Sequence, residues 1–153
     1  MQVKELGHVV LFVSSLERSV HFYRDVLGFR PLVREAKAGE PVSRAAAFSS
    51  GRTHHELLLI EVGEDAPHPS TGRRTGMYHF GLKIGDSDDE LRDALKAVTE
   101  AGVTVVGASD HHVTHSLYIL DPDDNELELY IDVPGVDWHN PEEFFAPTRP
   151  LSL

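Results

Sequence analysis

Cysteine is absent from the 153-residue chain. That excludes a disulfide framework and any thiolate metal site, so a metal here would draw on His, Asp or Glu. Positive charge is scarce: 14 Lys and Arg stand against 25 Asp and Glu, a formal charge of −11. Such a surface repels phosphate backbones and anionic lipid, which argues against nucleic-acid or membrane-surface roles and for a small-molecule or protein partner. No run of 18 apolar residues occurs, and MQVKELGHVVLFV at the start lacks a basic region followed by a small-residue cleavage site. The expectation is a soluble, cytoplasmic protein. What is present is 41% hydrophobic content without a long polar tract, enough for one compact domain with its own core, and ten histidines.

The chain is organised twice over. GHVVLFV at 7–13 is a short β-branched run that reads as a buried strand. Ser14 and Ser15 offer N-caps, and Leu16, Val20, Tyr23 and Leu27 recur at helical spacing before Gly28 closes the helix. Strands are expected at 29–33, 45–48 and 54–62, the last two parted by SSGRT. GEDAPHPSTGRRTG, residues 63–76, reads as a linker, and then the pattern restarts. A strand at 77–84 precedes a capping box of Ser87 and Glu90 and a helical stripe of Leu91, Leu95 and Val98 ending at Gly102. Strands at 103–106, 116–120 and 126–131 follow, the last two joined by DPDDN. The fold expected is α+β, with two tandem βαβββ modules forming a curved mixed sheet around a central metal cavity. One domain would span 1–153, with modules at about 5–62 and 77–132 and a tail at 133–153.

The repeat singles out certain residues. His8 and His79 lie 71 residues apart and the helix-closing Gly28 and Gly102 lie 74 apart, so both histidines occupy the start of a module's first strand. A lone histidine in a half-apolar strand is usually a hydrogen-bonded core or surface residue; repeated placement favours a ligand. In NELELYI, Glu126, Glu128 and Tyr130 share one strand face. On an isolated strand that face would simply be wet, whereas an inward Glu128 needs a cation to offset its burial. Two His and one carboxylate form the facial set that leaves three open positions on a ferrous ion, and they also approach catalytic zinc sets. Ligand type alone does not choose the metal.

With these residues the chain resembles the vicinal oxygen chelate (glyoxalase/bleomycin resistance/dioxygenase) superfamily over roughly residues 5–133, most of all its single-domain type I extradiol, catechol 2,3-dioxygenase-like members. The resemblance implies His8, His79 and Glu128 as metal ligands. GRTHHELLL is similar to a ring-cleavage motif and implies His55 as pocket acid/base with His54 beside it. Tyr118, ten residues before Glu128, matches a pocket tyrosine, and SDHHVTHSLY implies a pocket histidine, taken as His111 with His112 left open. Plainer readings exist for each: turn residues at 54–55, a core aromatic at 118, and solvent-facing loop histidines at 111, 112 and 115. His21, His68 and His139 read as helix-surface or loop residues. DPDDN departs from the superfamily's frequent DPDGN, which touches turn geometry only.

The function so implied is an Fe(II)-dependent extradiol ring-cleaving dioxygenase acting on a catecholic substrate with dioxygen, with Mn(II) or another divalent metal as substitute cofactor. A homodimer or higher homo-oligomer is expected. One alternative is a glyoxalase I-like isomerase, lyase or transferase; its fourth carboxylate ligand would fall at Leu59, with Glu61 two residues on along the same face. Another is a metal-free binding protein of the bleomycin-resistance type. Residues 36–44, 63–76 and the tail from 133 are expected to shape the pocket entrance. WHNPEEFFAPTRPLSL carries too many aromatics for a free tail and is expected to pack on the body or a neighbouring subunit.

Overall fold

The computed structural model describes residues 1–32, 43–68, 72–73 and 75–153. It divides into two compact units, Met1–His68 and Pro69–Leu153. Residues 33, 36–42, 69–71 and 74, which belong to the expected strand end, entrance segment and linker, lie outside the described residues.

The first unit runs β1 (Val9–Val13), α1 (Leu16–His21) continuing into a π-helical turn (Phe22–Val26), β2 (Arg30–Leu32), β3 (Ala45–Ser49) and β4 (Leu57–Glu61). Ser15 starts α1 from extended backbone, its hydroxyl accepting the Arg18 N–H. Gly28, at φ +75, turns the chain out of the π turn. The sheet order is β1-β4-β3-β2, with β1 parallel to β4 and the other pairs antiparallel. Period-two alternation sorts the faces: Leu11, Val13, Leu57 and Leu59 are buried with Tyr23 and Phe48, while Val10 and Phe12 pair with Leu58 and Ile60 on the other face. The strand expected at 54–62 starts only at Leu57. The Glu56 carboxylate accepts the Ser50 and Thr53 N–H groups at 2.8 and 3.1 Å, which bends 50–56 into a turn and leaves both histidines outside the ladder.

The second unit repeats the plan as β5 (His79–Gly85), α2 (Asp88–Glu100), β6 (Val105–Asp110), β7 (Thr114–Leu120) and β8 (Glu126–Asp132), then adds α3 (Pro141–Phe144) and β9 (Arg149–Pro150). The order is β5-β8-β7-β6-β9, with β5 parallel to β8. The capping box forms: Ser87 Oγ accepts Glu90 N–H and Glu90 Oε2 accepts Asp86 N–H. Leu91 and Val98 of α2 are buried, as are Leu117, Ile119, Leu127, Leu129 and Ile131 of the sheet. The strand expected at 103–106 instead runs from Val105 to Asp110, because pairing with β7 extends to Asp110–His115. β9 pairs with β6 (Ser109–Pro150, Asp110–Arg149), so the end of the tail is held on its own unit, while Trp138, Phe144 and Phe145, expected to pack, stay largely exposed. Among the described residues no helix is long and apolar enough to cross a membrane.

Candidate metal centre

Strand register in the second unit builds a polar row. Gly81, Glu128 and Tyr118 pair across β5, β8 and β7, and His79 pairs with Glu126. Paired residues share a face, so His79, Glu126, Glu128, Tyr118 and, from the next pair, Ser116 project from one side while the leucines and isoleucines fill the other. Where a side chain at 81 would stand, a Cβ would meet Tyr130 at 3.2 Å and Glu128 Oε2 at 3.6 Å. Glycine keeps that space for the carboxylate and the phenol ring.

The row is hydrogen-bonded. His79 Nε2 lies 3.1 Å from Glu128 Oε2. His79 Nδ1 is buried without a hydrogen bond, although Glu126 Oε1 approaches to 3.4 Å outside hydrogen-bond geometry. Glu128 Oε1 accepts the Ser116 hydroxyl at 2.6 Å and the Tyr118 hydroxyl at 3.1 Å. Because Tyr118 donates there, its oxygen accepts from His111 Nε2 at 2.6 Å, and His111 Nδ1 faces the Thr148 hydroxyl at 3.1 Å. A His111 protonated at Nε2 satisfies all these partners. Burial, then the negative charge of Glu128 and the bond to it, pushes the Tyr118 phenol well above its ordinary range and keeps it a donor.

Two of these residues, His79 and Glu128, are spaced as two ligands of one divalent ion would be. Two donors each about 2.1 Å from one ion at right angles lie about 3 Å apart, the spacing of His79 Nε2 and Glu128 Oε2. Ser116 and Tyr118 hold the far oxygen, as outer partners of a ligating carboxylate do. Ser116 went unnoticed in the sequence, yet it stands two residues before Tyr118 and so on the same face. Gly81, an isolated glycine inside a strand pattern, was a readable sign of close approach.

In the first unit His8 immediately precedes β1, and its ring stacks on His55 with centroids 4.6 Å apart. His54 leans on His55 at 4.5 Å, with their Nδ1 atoms in hydrogen-bond contact. Arg52 fixes this end: its guanidinium donates to the Leu6 and Gly7 carbonyls at 3.3 Å and pairs with Glu5. Desolvation, then the neighbouring His54 and His8, holds the His55 imidazole below its ordinary pKa, against a smaller opposing pull from Glu56.

Glu61 has other work. Its Oε2 accepts the Leu16 N–H at 2.9 Å at the start of α1, and Arg44 lies 3.4 Å from Oε1. Leu59 shares that face and is fully buried, on the side opposite Val10 and Phe12. The position weighed for a fourth carboxylate therefore belongs to core and helix cap.

The structure brings together His79, Glu128, Tyr118 and His111 in one unit, and His8, His54 and His55 in the other. Among the described residues no group of three or more His, Asp and Glu side chains is spaced to hold a metal by itself. His112 reaches Glu143 of α3 rather than Tyr118. His115 is not a loop residue: it lies in β7, with Nδ1 2.6 Å from Asp88 at the start of α2. His21 is an exposed helix residue paired with Asp25, and His68 and His139 are exposed outside regular structure.

A family model described as the Glyoxalase/Bleomycin resistance protein/Dioxygenase superfamily matches residues 5–129. The catechol-2,3-dioxygenase of Bacillus subtilis is 33% identical over 138 residues, which are 90% of this chain and 45% of that protein. The chain thus spans less than half the length of that relative. The metallothiol transferase FosB of Staphylococcus haemolyticus is 26% identical over 130 residues, 84% of each chain. Among solved structures, a glyoxalase/dioxygenase from Nostoc punctiforme matches with a TM-score of 0.65 at 20% identity, covering 84% of this chain and 91% of the other.

Proposed function

Because this chain belongs to the Glyoxalase/Bleomycin resistance protein/Dioxygenase superfamily, we propose that it is an Fe(II)-dependent extradiol-type dioxygenase that opens the ring of a catecholic substrate, with His8, His79 and Glu128 as metal ligands. The observation that carries the reading is the chain of hydrogen bonds from His111 through Tyr118 to Glu128, beside His79. It pairs a candidate ligand carboxylate with two donors suited to the oxygens of a dihydroxy ring. Similarity to a catechol-2,3-dioxygenase over 90% of the chain supports it.

A ferrous ion at these ligands would supply open positions for the two vicinal hydroxyl oxygens and dioxygen, and a path for electrons from the ring to dioxygen. The protein's own groups do the rest. With substrate bound, Tyr118, kept protonated, would turn its single hydroxyl hydrogen from Glu128 to a substrate oxygen, and the His111 Nε2–H so released would stabilise negative charge developing on ring-derived oxygen. His55, its basicity lowered, is in the base form at neutral pH and takes a hydroxyl proton that it later returns.

A second reading, a metal-dependent thiol transferase, is supported by the similarity to FosB, 26% identical over 130 residues. The roles of Leu59 and Glu61 in core and cap weigh against the four-ligand glyoxalase alternative. Protein purified without oxygen and loaded in turn with Fe(II), Mn(II) or Zn(II) separates these readings. Oxygen uptake matched by a ring-opened semialdehyde from a catechol is the expected result with iron. Thiol consumption on an electrophilic acceptor without oxygen uptake would install the transferase reading. Failure to bind any metal would leave the binding-protein alternative.

A further inference from the structure

The tail beyond the family-matched residues makes a second feature of the polar face. A recess of about 270 Å³ lies beside Glu128, lined by strand residues Glu128, Tyr130, Asp132 and Thr114 and by Val113, Trp138 and Phe144. The tail is held there at several points. Val133 N–H donates to Val113, β9 pairs with β6, Thr148 meets His111, and Glu143 meets His112. Asn140 caps α3 through Glu142 N–H and so fixes the short helix carrying Phe144. Despite this anchoring, Trp138 and Phe144 stay 61% and 53% exposed. Two large aromatics, more than half exposed, thus line the same recess as a candidate ligand carboxylate.

The chemistry of the lining narrows the occupant. Aromatic walls bind a planar ring through offset or edge contacts. The volume lies just under the span typical of drug-sized ligand pockets, which suits a molecule of one or two rings rather than a protein segment. The lining holds two carboxylates and neither Lys nor Arg. Lys83, in register with Tyr130 on the same face, is already held by Asp132 and Asp86 at 2.8 and 2.5 Å. An anionic substituent pointing away from the ligand carboxylate would therefore give up its hydration with no free cationic side chain among the lining residues to replace it.

We propose that this recess is the subsite for the substrate's aromatic ring, that Trp138 and Phe144 are its specificity-determining walls, and that it selects uncharged rings over rings bearing a carboxylate. The word substrate rests on the dioxygenase reading above; the recess as an aromatic-binding site does not.

Trp138 is the only tryptophan in the chain, so its emission reports occupancy without turnover. The probes are 4-methylcatechol and 3,4-dihydroxybenzoate, matched in size and different in charge. Each is titrated against metal-free and zinc-loaded protein, with calorimetry on the same samples. Quenching by 4-methylcatechol at a Kd at least about tenfold below that of the carboxylate is expected, and Phe144→Ala should weaken 4-methylcatechol by about tenfold while circular dichroism stays unchanged. Equal or tighter binding of 3,4-dihydroxybenzoate would overturn the selectivity. Unchanged affinity in a folded Phe144→Ala protein, or unchanged KM for ring cleavage in Trp138→Leu, would overturn the recess while leaving the dioxygenase standing. Intact quenching without any oxygen uptake would uphold the recess and sink the dioxygenase reading instead.

Discussion

Glu128 Oε1 takes two hydroxyl donors, from Ser116 and Tyr118, and so leaves Oε2 beside His79. Such outer partners hold a ligand's orientation, so Tyr118→Phe, which deletes one donor and strands the His111 N–H, should weaken metal binding about 10- to 100-fold in a chelator competition. Glu128→Ala should abolish stoichiometric metal altogether; full metal in that variant would make the carboxylate structural. His55 poses a different question because its partner is an imidazole stacked at 4.6 Å. If it moves a proton, His55→Gln keeps metal and approximate substrate affinity but lowers turnover by about 10² to 10⁴. If it is only a turn residue, the same change shifts stability by no more than about 0.5 kcal/mol and spares turnover. Turnover measured with iron content on one sample decides between them.

The elements show how far local rules reach. The caps at Ser15 and Ser87 and the closing turns at Gly28 and Gly102, at φ +75 and +72, form where local pattern places them, since each is made within a few residues. DPDDN behaves likewise. The buried Asp121 carboxylate accepts the Asp123 and Asn125 N–H groups at 2.9 and 2.8 Å, and this tightens the turn into β8. The cost falls on Asp124, a non-glycine residue at φ +63. Asp124→Gly should therefore raise stability by about 0.5–1 kcal/mol, read as a shift in the urea midpoint at constant slope. A fall in the midpoint would mean that the Asp124 side chain supports the turn. What local pattern does not carry is the length of β6, since that depends on how far β7 pairs with it.

At the scale of the molecule, the first unit, taken by itself, carries an apolar stripe of Val10, Phe12, Leu58 and Ile60 on the face opposite its core. Patches of that kind mark association surfaces on proteins that stay in solution. The proposed homodimer or larger homo-oligomer would cover it, so light scattering at micromolar concentration should report more than one chain, and Phe12→Lys should move the mass toward monomer. A monomer in the unsubstituted protein would count against association.

The repeat, the faces of each strand and the helix ends were legible in the amino-acid order, because periodicity and short-range hydrogen bonds need no distant partner. Choices between neighbours were not. His111 and His112 are equivalent as text, but His112 takes the turn at φ +69 with its N–H on Asp110 and its ring toward Glu143, which leaves His111 for Tyr118. Likewise Glu61 is a plausible ligand until Leu16 is seen to occupy it, and Trp138 is only a tail aromatic until β9 and Thr148 draw the tail across the polar face. Each of these outcomes depends on contacts between residues far apart in the chain, and only the fold determines which of them are made.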